Sequence, residues 1–124
     1  MSVFAEIGPE RVIGRTRHFF LIEDAFPVSP GHLLIISNEM RADYFALTAE
    51  ERSDLDAAIC LARDIISVRH RPDGYNIGMN CGAAAGQTVF HFHCHVIPRY
   101  KGDMEDPRGG VRHCVSGKGY YRET

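Results

Sequence analysis

The chain lacks the features that would place it on a charged polymer or in a membrane. Its formal net charge is −2 and it has no dense run of lysine or arginine, so broad binding to a nucleic-acid backbone or an anionic membrane is not expected. No apolar run approaches the roughly 18 residues that span a bilayer, and the start MSVFAEIGPERVIG has no basic or apolar part of a secretion signal. We therefore expect a cytoplasmic protein whose partner is neither nucleic acid nor a membrane. A small anionic ligand remains open.

Paired cysteine motifs are also missing. The four cysteines, Cys60, Cys81, Cys94 and Cys114, form no C-x-x-C pair, and three of them lie in apolar or glycine-rich surroundings. Neither a disulfide framework nor a zinc knuckle is indicated. We expect reduced thiols.

The length and composition are those of one ordinary domain. With 124 residues, of which 44% are hydrophobic, residues 1–124 can build one core, so we expect a single domain. Residues 101–124 contain six glycines or prolines and should form a mostly irregular tail, able to fold over a neighbouring site.

One long helix is predicted near the middle of the chain. Thr48 followed three residues later by Glu51 is a capping box, and Pro72 predicts an end near His70. The apolar residues at helical spacing are Leu55, Ala58, Ile59, Ala62, Ile65 and Ile66.

Strands are predicted on both sides of this helix. RVIGRTRHFFLIED and GHLLIIS indicate a hairpin and a third strand before it. GYNIGMN and TVFHFHCHVIP indicate two more strands after it, joined by the loop CGAAAGQ. Three strands, one helix and two strands favour an α+β fold of about five strands over a doubly wound sheet.

The segment HFHCHVIPRY carries three histidines at alternate positions. On a strand, His91, His93 and His95 would share one face and Phe90, Phe92, Cys94 and Val96 the opposite, core face. The outer two Cα atoms would then lie roughly 13 Å apart on a regular strand. Zinc–nitrogen bonds are only about 2.0 to 2.1 Å long, so one ion held by all three is disfavoured. A two-histidine metal site completed from elsewhere stays open.

A row of imidazoles suits chemistry on phosphate. Neutral histidine can attack phosphorus and protonated histidine can donate a proton, so neighbouring histidines can divide these tasks. The preceding loop supports this interpretation, because Gly82 and Gly86 allow close backbone approach and Gln87 and Thr88 offer hydrogen bonds to a phosphate. Taken singly, a strand histidine is more often a surface or core residue, and the loop could be a plain hairpin connection.

At these residues the sequence resembles a known family. HFHCHVI is similar to the alternating motif of the histidine triad (HIT) superfamily of nucleotide hydrolases and transferases. GQTVFHFHCHVIPRY and IEDAFPVSPGHLLII resemble the fragile-histidine-triad dinucleoside polyphosphate hydrolases and their bacterial relatives over roughly residues 3–112. The resemblance implies an antiparallel five-stranded sheet with one long helix, joined to a second copy in a homodimer as a continuous sheet.

The resemblance also implies catalytic roles. His93 matches the nucleophile that attacks the α-phosphorus and becomes nucleotidylated, and His95 matches the histidine that assists proton transfer to the leaving group. His91 matches the residue that orients the nucleophile, and His32 matches a fourth histidine beside the triad.

A purine nucleotide is the ligand that the resemblance implies. Asp24 corresponds to the residue that holds the ribose hydroxyls, a role that a carboxylate suits because it accepts two hydrogen bonds. The base pocket corresponds to Ile22, Ala25 and Phe26, which are equally suited to the core, and the ribose-phosphate contacts correspond to Asn80, Gln87 and Thr88.

Departures from the family pattern bear on metals. Many bacterial relatives hold a structural zinc through an N-terminal C-x-x-C and a histidine, but Ser2, Ala5 and Met40 stand at those places here, so structural zinc is not expected. The motif needs no cofactor, although Mg or Mn could neutralise a polyphosphate substrate. Arg108 and Arg112 could reach a polyphosphate or could be free surface residues.

Cleavage of a dinucleoside polyphosphate at the α-phosphate, through a covalent nucleotidyl-histidine, is the function we expect first. A nucleoside phosphoramidate hydrolase, a nucleotide-binding regulator with little turnover, and metal storage or sensing through the histidines are the alternatives. The apolar cluster Tyr44, Phe45 and Leu47 suits either the dimer interface or the chain's own core.

Overall fold

Five strands form one antiparallel sheet in the computed structural model, which describes residues 2–121. The strands are β1 (Val12–Arg15), β2 (Phe19–Glu23), β3 (Leu33–Ser37), β4 (Gly74–Gly78) and β5 (His93–Arg99). Their order across the sheet is β1-β2-β3-β5-β4, and one long helix, α1 (Ala49–Arg69), connects β3 to β4. The predicted α+β fold with an antiparallel five-stranded sheet and one long helix is confirmed.

Helix α1 begins and ends where its sequence signals predict. The Thr48 hydroxyl accepts a hydrogen bond from the Glu51 N–H at 3.1 Å, while the Glu51 carboxylate accepts from the Thr48 N–H at 2.7 Å. Four apolar residues at helical spacing, Leu55, Ala58, Ala62 and Ile66, are buried against the sheet. The capping box thus starts a helix whose apolar stripe anchors it.

The two faces of the sheet are covered differently. The face that α1 covers holds the main core, including Leu21, Ile35 and Cys94. On the opposite face Ile22, Leu34 and Ile36 form a smaller cluster, against which Phe4 and Ile7 of the N-terminal segment pack. Since His93 pairs with Ile36 and His95 with Leu34, both histidines belong to the face that α1 leaves open.

Strand β5 begins later than its sequence pattern predicts. The alternating pattern indicated a strand from residue 88, but β5 starts at His93. The Phe92 N–H instead donates to the Arg41 carbonyl at 2.6 Å, and residues 88–92 are not in strand geometry. Phe90, which we predicted on the core face, is therefore 51% exposed, because the regular alternation does not extend back to it.

The tail packs beside β4. Within residues 101–121, the only helical segment is the 3-10 turn Gly110–Cys114, so this part is largely irregular, while residues 122–124 of the predicted tail lie outside the described residues. Arg99 of β5 makes two hydrogen bonds to the Asp103 carboxylate, at 2.8 and 2.7 Å, and these fix the start of the tail.

Three sequence-based expectations concern the chain as a whole. None of the four cysteines is bonded to another. Among the described residues no helix is both long and apolar enough to cross a membrane. The single-domain assignment of residues 1–124 stays a prediction.

Candidate active site

His91 is held from two sides just before β5. It is buried, and its Nε2 lies 2.8 Å from the Ser37 carbonyl oxygen. A carbonyl only accepts, so His91 Nε2 carries the proton and donates it. Nδ1 of the neutral ring then accepts from the Ser2 hydroxyl at 2.6 Å. The N-terminal segment is therefore bonded directly to the first histidine of the triad.

The His91 backbone sets the protonation of His93. The His93 Nδ1 lies 2.8 Å from the His91 carbonyl oxygen, so Nδ1–H is the donor. Nε2 of the neutral His93 ring is consequently left with its lone pair, which is the form that can attack an electrophile. The Phe4 ring packs edge-on against His93 with centroids 4.8 Å apart and restrains the imidazole further.

A second chain of hydrogen bonds sets the protonation of His95. The Val28 N–H donates to His32 Nδ1 at 3.2 Å, so the neutral His32 ring carries its proton on Nε2. His32 Nε2 lies 2.9 Å from His95 Nδ1 and donates to it. His95 must then carry its own proton on Nε2. The neighbouring pair His93 and His95, with ring centroids 5.5 Å apart, thus combines a free lone pair with an N–H.

Burial favours the neutral forms of His32 and His95. Desolvation lowers the pKa of His32, and the Asp24 carboxylate offsets it only partly. Desolvation also lowers the pKa of His95, with further lowering from His32 and His93. A bound phosphate would act in the opposite direction, because negative charge stabilises the protonated imidazole. His95, which already carries one proton on Nε2, is therefore set to gain a second proton and become cationic when an anion arrives.

Asp24 lies at the junction of β2 and the loop that leads to His32. Its Oδ1 accepts from the Phe26 N–H at 2.8 Å, and its Oδ2 lies 3.3 Å from His32 Nε2 and 3.8 Å from His95 Nδ1. The carboxylate is thus fixed by the backbone on one side and faces the histidines on the other.

A cavity of about 320 Å³ opens beside these residues. It is lined by Val3, Phe4, Ile7, Arg11, Ile22, Asp24, Ala25, Phe26, Leu34, Thr88, Val89, His93 and His95. Most sequence-predicted site residues therefore meet at one place. The volume lies within the range of small-molecule pockets.

The N-terminal part of the lining was missed by the sequence analysis. Val3, Phe4 and Ile7 belong to a 3-10 turn and its exit, and Phe4 and Ile7 pack on the open face of the sheet. Their only sequence signal is a short apolar spacing, which is too weak to assign to a site.

Two predicted phosphate contacts lie away from the cavity lining. Gln87 is buried and its amide is used within the loop: Nε2 donates to the Ala42 and Val89 carbonyls, and Oε1 accepts from the Gly82 N–H. Asn80 is exposed beyond the end of β4. Gln87 thus holds the shape of the loop, in which Gly82 and Gly86 adopt φ values of 94° and 96°.

Asp24, His32 and His95 also place three potential metal ligands together. One donor atom from each lies within 4.8 Å of the other two. However, the Val28 N–H occupies His32 Nδ1 and so keeps the proton on the nitrogen that would face the metal. The cluster is better suited to exchanging protons than to holding an ion.

The arrangement defines a class of site: an imidazole with a free lone pair beside an imidazole that carries an N–H, both lining a cavity of small-molecule size. The chain belongs to the family described as the HIT domain, which matches residues 6–102. This confirms the histidine triad resemblance.

Relatives of the chain include both unassigned and named proteins. It is 38% identical over 92 residues to an uncharacterised HIT-like protein of Mycoplasma genitalium, covering 72% of this chain and 63% of that protein. It is 33% identical to the AP-4-A phosphorylase of Mycobacterium tuberculosis, covering 74% and 48%, and 33% identical to the asymmetrical bis(5'-nucleosyl)-tetraphosphatase of Schizosaccharomyces pombe, covering 77% and 53%. The matched part of the chain thus spans about half to two thirds of these relatives.

The fold is similar to that of solved HIT proteins. A member of the HIT family from Bacillus subtilis superimposes with a TM-score of 0.75 at 25% identity, covering 99% of this chain and 80% of that one. The likeness includes the tail as well as the sheet and helix.

Proposed function

We propose that the protein is a hydrolase that cleaves a dinucleoside polyphosphate at the α-phosphate through a covalent nucleotidyl-His93 intermediate. The observation that carries this proposal is the 2.8 Å hydrogen bond from His93 Nδ1–H to the His91 carbonyl, which leaves the Nε2 lone pair available. The named relatives that act on dinucleoside tetraphosphates support the substrate class.

The 320 Å³ cavity would hold one nucleoside of the substrate. Ile22, Ala25 and Phe26 would contact a purine base, and the Asp24 carboxylate would accept hydrogen bonds from the ribose hydroxyls. Thr88, which lines the cavity and is exposed, would donate a hydrogen bond to the α-phosphate. Asn80 and Gln87 would contribute to phosphate binding only through the loop that they flank and shape.

The first chemical step transfers the nucleotide to the protein. His93 Nε2 forms a bond to the α-phosphorus while the bond from that phosphorus to the bridging oxygen breaks. The imidazole becomes positively charged, and the His91 carbonyl stabilises this charge through the Nδ1–H bond. The departing nucleotide keeps the electron pair of the broken bond, and His95, made more basic by the bound phosphates, donates a proton to it.

The second step restores the free site. A water molecule attacks the α-phosphorus, the bond to His93 Nε2 breaks, and the water's proton passes to His95. The products are a nucleoside monophosphate and neutral His93. Inorganic phosphate as the attacking group would make the same site a phosphorylase, which is the activity named for the Mycobacterium tuberculosis relative.

His32 and His91 act through their neighbours in this mechanism. His91 positions the nucleophile, and His32 determines which nitrogen of His95 carries the proton. No cofactor is required, and Mg or Mn would serve only to neutralise a polyphosphate. The protein would act as a homodimer on a purine nucleotide in the cytoplasm, without a nucleic-acid or membrane partner.

A nucleoside phosphoramidate hydrolase is the second candidate. The cavity beside His93 is large enough for one nucleoside, and cleavage of a phosphorus–nitrogen bond to a small amine would use the same nucleophile and the same donor.

Trapping the intermediate tests the mechanism. Wild-type protein quenched rapidly with diadenosine tetraphosphate should carry one adenylyl group in its intact mass, with AMP accumulating, whereas His93→Ala should carry none. His18→Ala is the matched control, because His18 lies in the β1–β2 turn outside the site, and it should form the adduct. Equal AMP release by His93→Ala would refute the nucleophile, and an adduct only with a nucleoside phosphoramidate would select the second candidate.

A further inference from the structure

A second cavity lies on the same face of the sheet as the histidines. It encloses about 390 Å³ and is lined by Val28, Ser29, Asn76, Ile97, Arg99, Asp103, Met104, Pro107, Gly110 and His113. His93, His95, Ile97 and Arg99 alternate along β5 and therefore share one face. The second cavity thus begins two residues beyond His95, about 6.6 Å along the strand.

The two cavities lie on opposite sides of His95. On one side His95 pairs with Leu34 of β3, which lines the first cavity. On the other side it pairs with Gly78 of β4, and the next inward pair along these strands joins Ile97 to Asn76, both in the second cavity. The histidines therefore stand between the cavities.

One loop connects both cavities to the site. Ala25 and Phe26 line the first cavity, and Val28 and Ser29 line the second. The Val28 N–H donates to His32, and the Ser29 hydroxyl donates to the Pro98 carbonyl at 2.6 Å, which ties the loop across β5. One of the two contacts that fix the wall between the cavities, from the Val28 N–H to His32, is thus also the contact that sets the protonation of His95.

The lining of the second cavity favours an uncharged occupant. Val28, Ile97, Met104 and Pro107 offer apolar surface on which a base can pack. The Arg99 guanidinium is already paired, since it donates to Asp103 and to the Asn76 side-chain oxygen. The charge that could attract a phosphate is neutralised, while the Asn76 amide keeps N–H donors for a polar group on a base.

We propose that this second cavity binds the nucleoside of the departing nucleotide, so that the two halves of a dinucleoside polyphosphate occupy two cavities with the phosphate chain crossing β5 at His93 and His95. The inference rests on the proposed function, because it assigns the far half of the same substrate. It makes the tail residues Met104 and Pro107 part of substrate selection.

Binding to the His93→Ala variant tests the assignment without turnover. Diadenosine tetraphosphate and adenosine 5'-tetraphosphate share one nucleoside and the phosphate chain, and only the first has a second nucleoside. Titration calorimetry should give at least fivefold tighter binding of diadenosine tetraphosphate. Adding Val28→Ala and Met104→Ala, which truncate the apolar wall, should remove most of this excess and bring the two affinities to within about twofold of each other.

The controls separate this inference from the function itself. Met40→Ala in the same background removes an exposed methionine outside both cavities and should preserve the excess affinity. Equal affinity for both ligands, or an excess affinity that survives the double truncation, would overturn the assignment of the second cavity to the departing nucleoside. Absence of the adenylyl adduct from the wild-type protein in the trapping experiment would instead overturn the catalytic proposal. The calorimetric comparison would still show whether the second cavity binds a nucleoside.

Discussion

At the scale of single residues, the candidate site is defined by which nitrogen of each imidazole carries the proton. The residue types and spacing of the triad were predictable from the sequence, because alternation places His93 and His95 on one strand face. Which nitrogen of each ring carries the proton was not predictable. It depends on the Ser37 carbonyl, the Val28 N–H and the Ser2 hydroxyl, and contacts between segments so far apart leave no local pattern.

Ser2 provides a prediction about positioning. Its hydroxyl donates to His91 Nδ1 at 2.6 Å, and the His91 carbonyl in turn holds His93. In Ser2→Ala, His91 keeps its bond to Ser37 but loses one of its two restraints. We expect kcat on diadenosine tetraphosphate to fall by about three- to tenfold, as for a lost hydrogen bond of roughly 1 kcal/mol, while KM changes by less than twofold.

Ser2→Thr keeps the hydroxyl and is the conservative variant that should restore kcat. Ser116→Ala in the tail removes an exposed serine and is the matched control. If Ser2→Ala raised KM without lowering kcat, Ser2 would act on nucleoside binding through the N-terminal segment and not on the triad.

At the scale of elements, local signals predicted helix α1 well and strand β5 less well. The capping box at Thr48 and the apolar stripe depend on residues within four positions of one another, so sequence carries them directly. The start of β5 depends on Phe92 bonding to Arg41, some fifty residues earlier in the chain, which strand alternation does not report. Phe90 was wrongly placed for that reason.

Glu51 provides a prediction about acid stability. Burial raises the pKa of its carboxyl, but hydrogen bonds from Thr48 and Arg41 lower it more, so the net pKa lies below its ordinary value of 4.5. The folded state then binds fewer protons than the unfolded state in acid. The stabilisation is complete above the unfolded pKa and is lost as the pH falls through the folded one.

In Glu51→Gln the bond to Arg41 loses its charge, and we expect the free energy of unfolding at pH 7 to fall by about 1 to 2 kcal/mol. Urea unfolding between pH 3 and pH 7 should show a smaller pH dependence than in wild type. Glu50→Gln alters the exposed neighbour in the same helical turn and should change the free energy by less than about 0.5 kcal/mol. If the free energy of unfolding had the same pH dependence in wild type and Glu51→Gln, the lowered pKa assigned to Glu51 would be contradicted.

At the scale of the whole molecule, both cavities are made by segments that join the sheet from the ends of the chain. The N-terminal segment closes the first cavity and the tail closes the second, both on the face that α1 does not cover. The sequence predicted that face, because the histidine row had to lie opposite the apolar row. The sequence also predicted an irregular tail able to fold over a neighbouring site, but it did not predict that the N-terminal segment covers the first cavity, because the short apolar stretch of that segment has no periodicity.

The predicted homodimer is also a property of this scale. Of the cluster before α1, Leu47 is buried in the core and Tyr44 packs against it, but Phe45 is 77% exposed. Among residues 2–121, strand β4 is paired on one side only, with β5, and its other side is the sheet edge at which a second copy could continue the sheet. An exposed aromatic residue and an unpaired strand edge each favour association between copies of the chain.

Sedimentation equilibrium should therefore give twice the chain mass of 13.9 kDa for wild type at micromolar concentration. If Phe45 lies in the interface, Phe45→Ser should weaken dimerisation by about thirtyfold, as expected for the loss of roughly 2 kcal/mol from a buried aromatic contact. Val115→Ser, which alters an exposed apolar residue in the tail, should leave the dimer intact. A wild-type monomer at all concentrations would contradict the predicted homodimer. Dimerisation unaffected by Phe45→Ser would place the interface elsewhere, and the free edge of β4 would then be the surface to alter next.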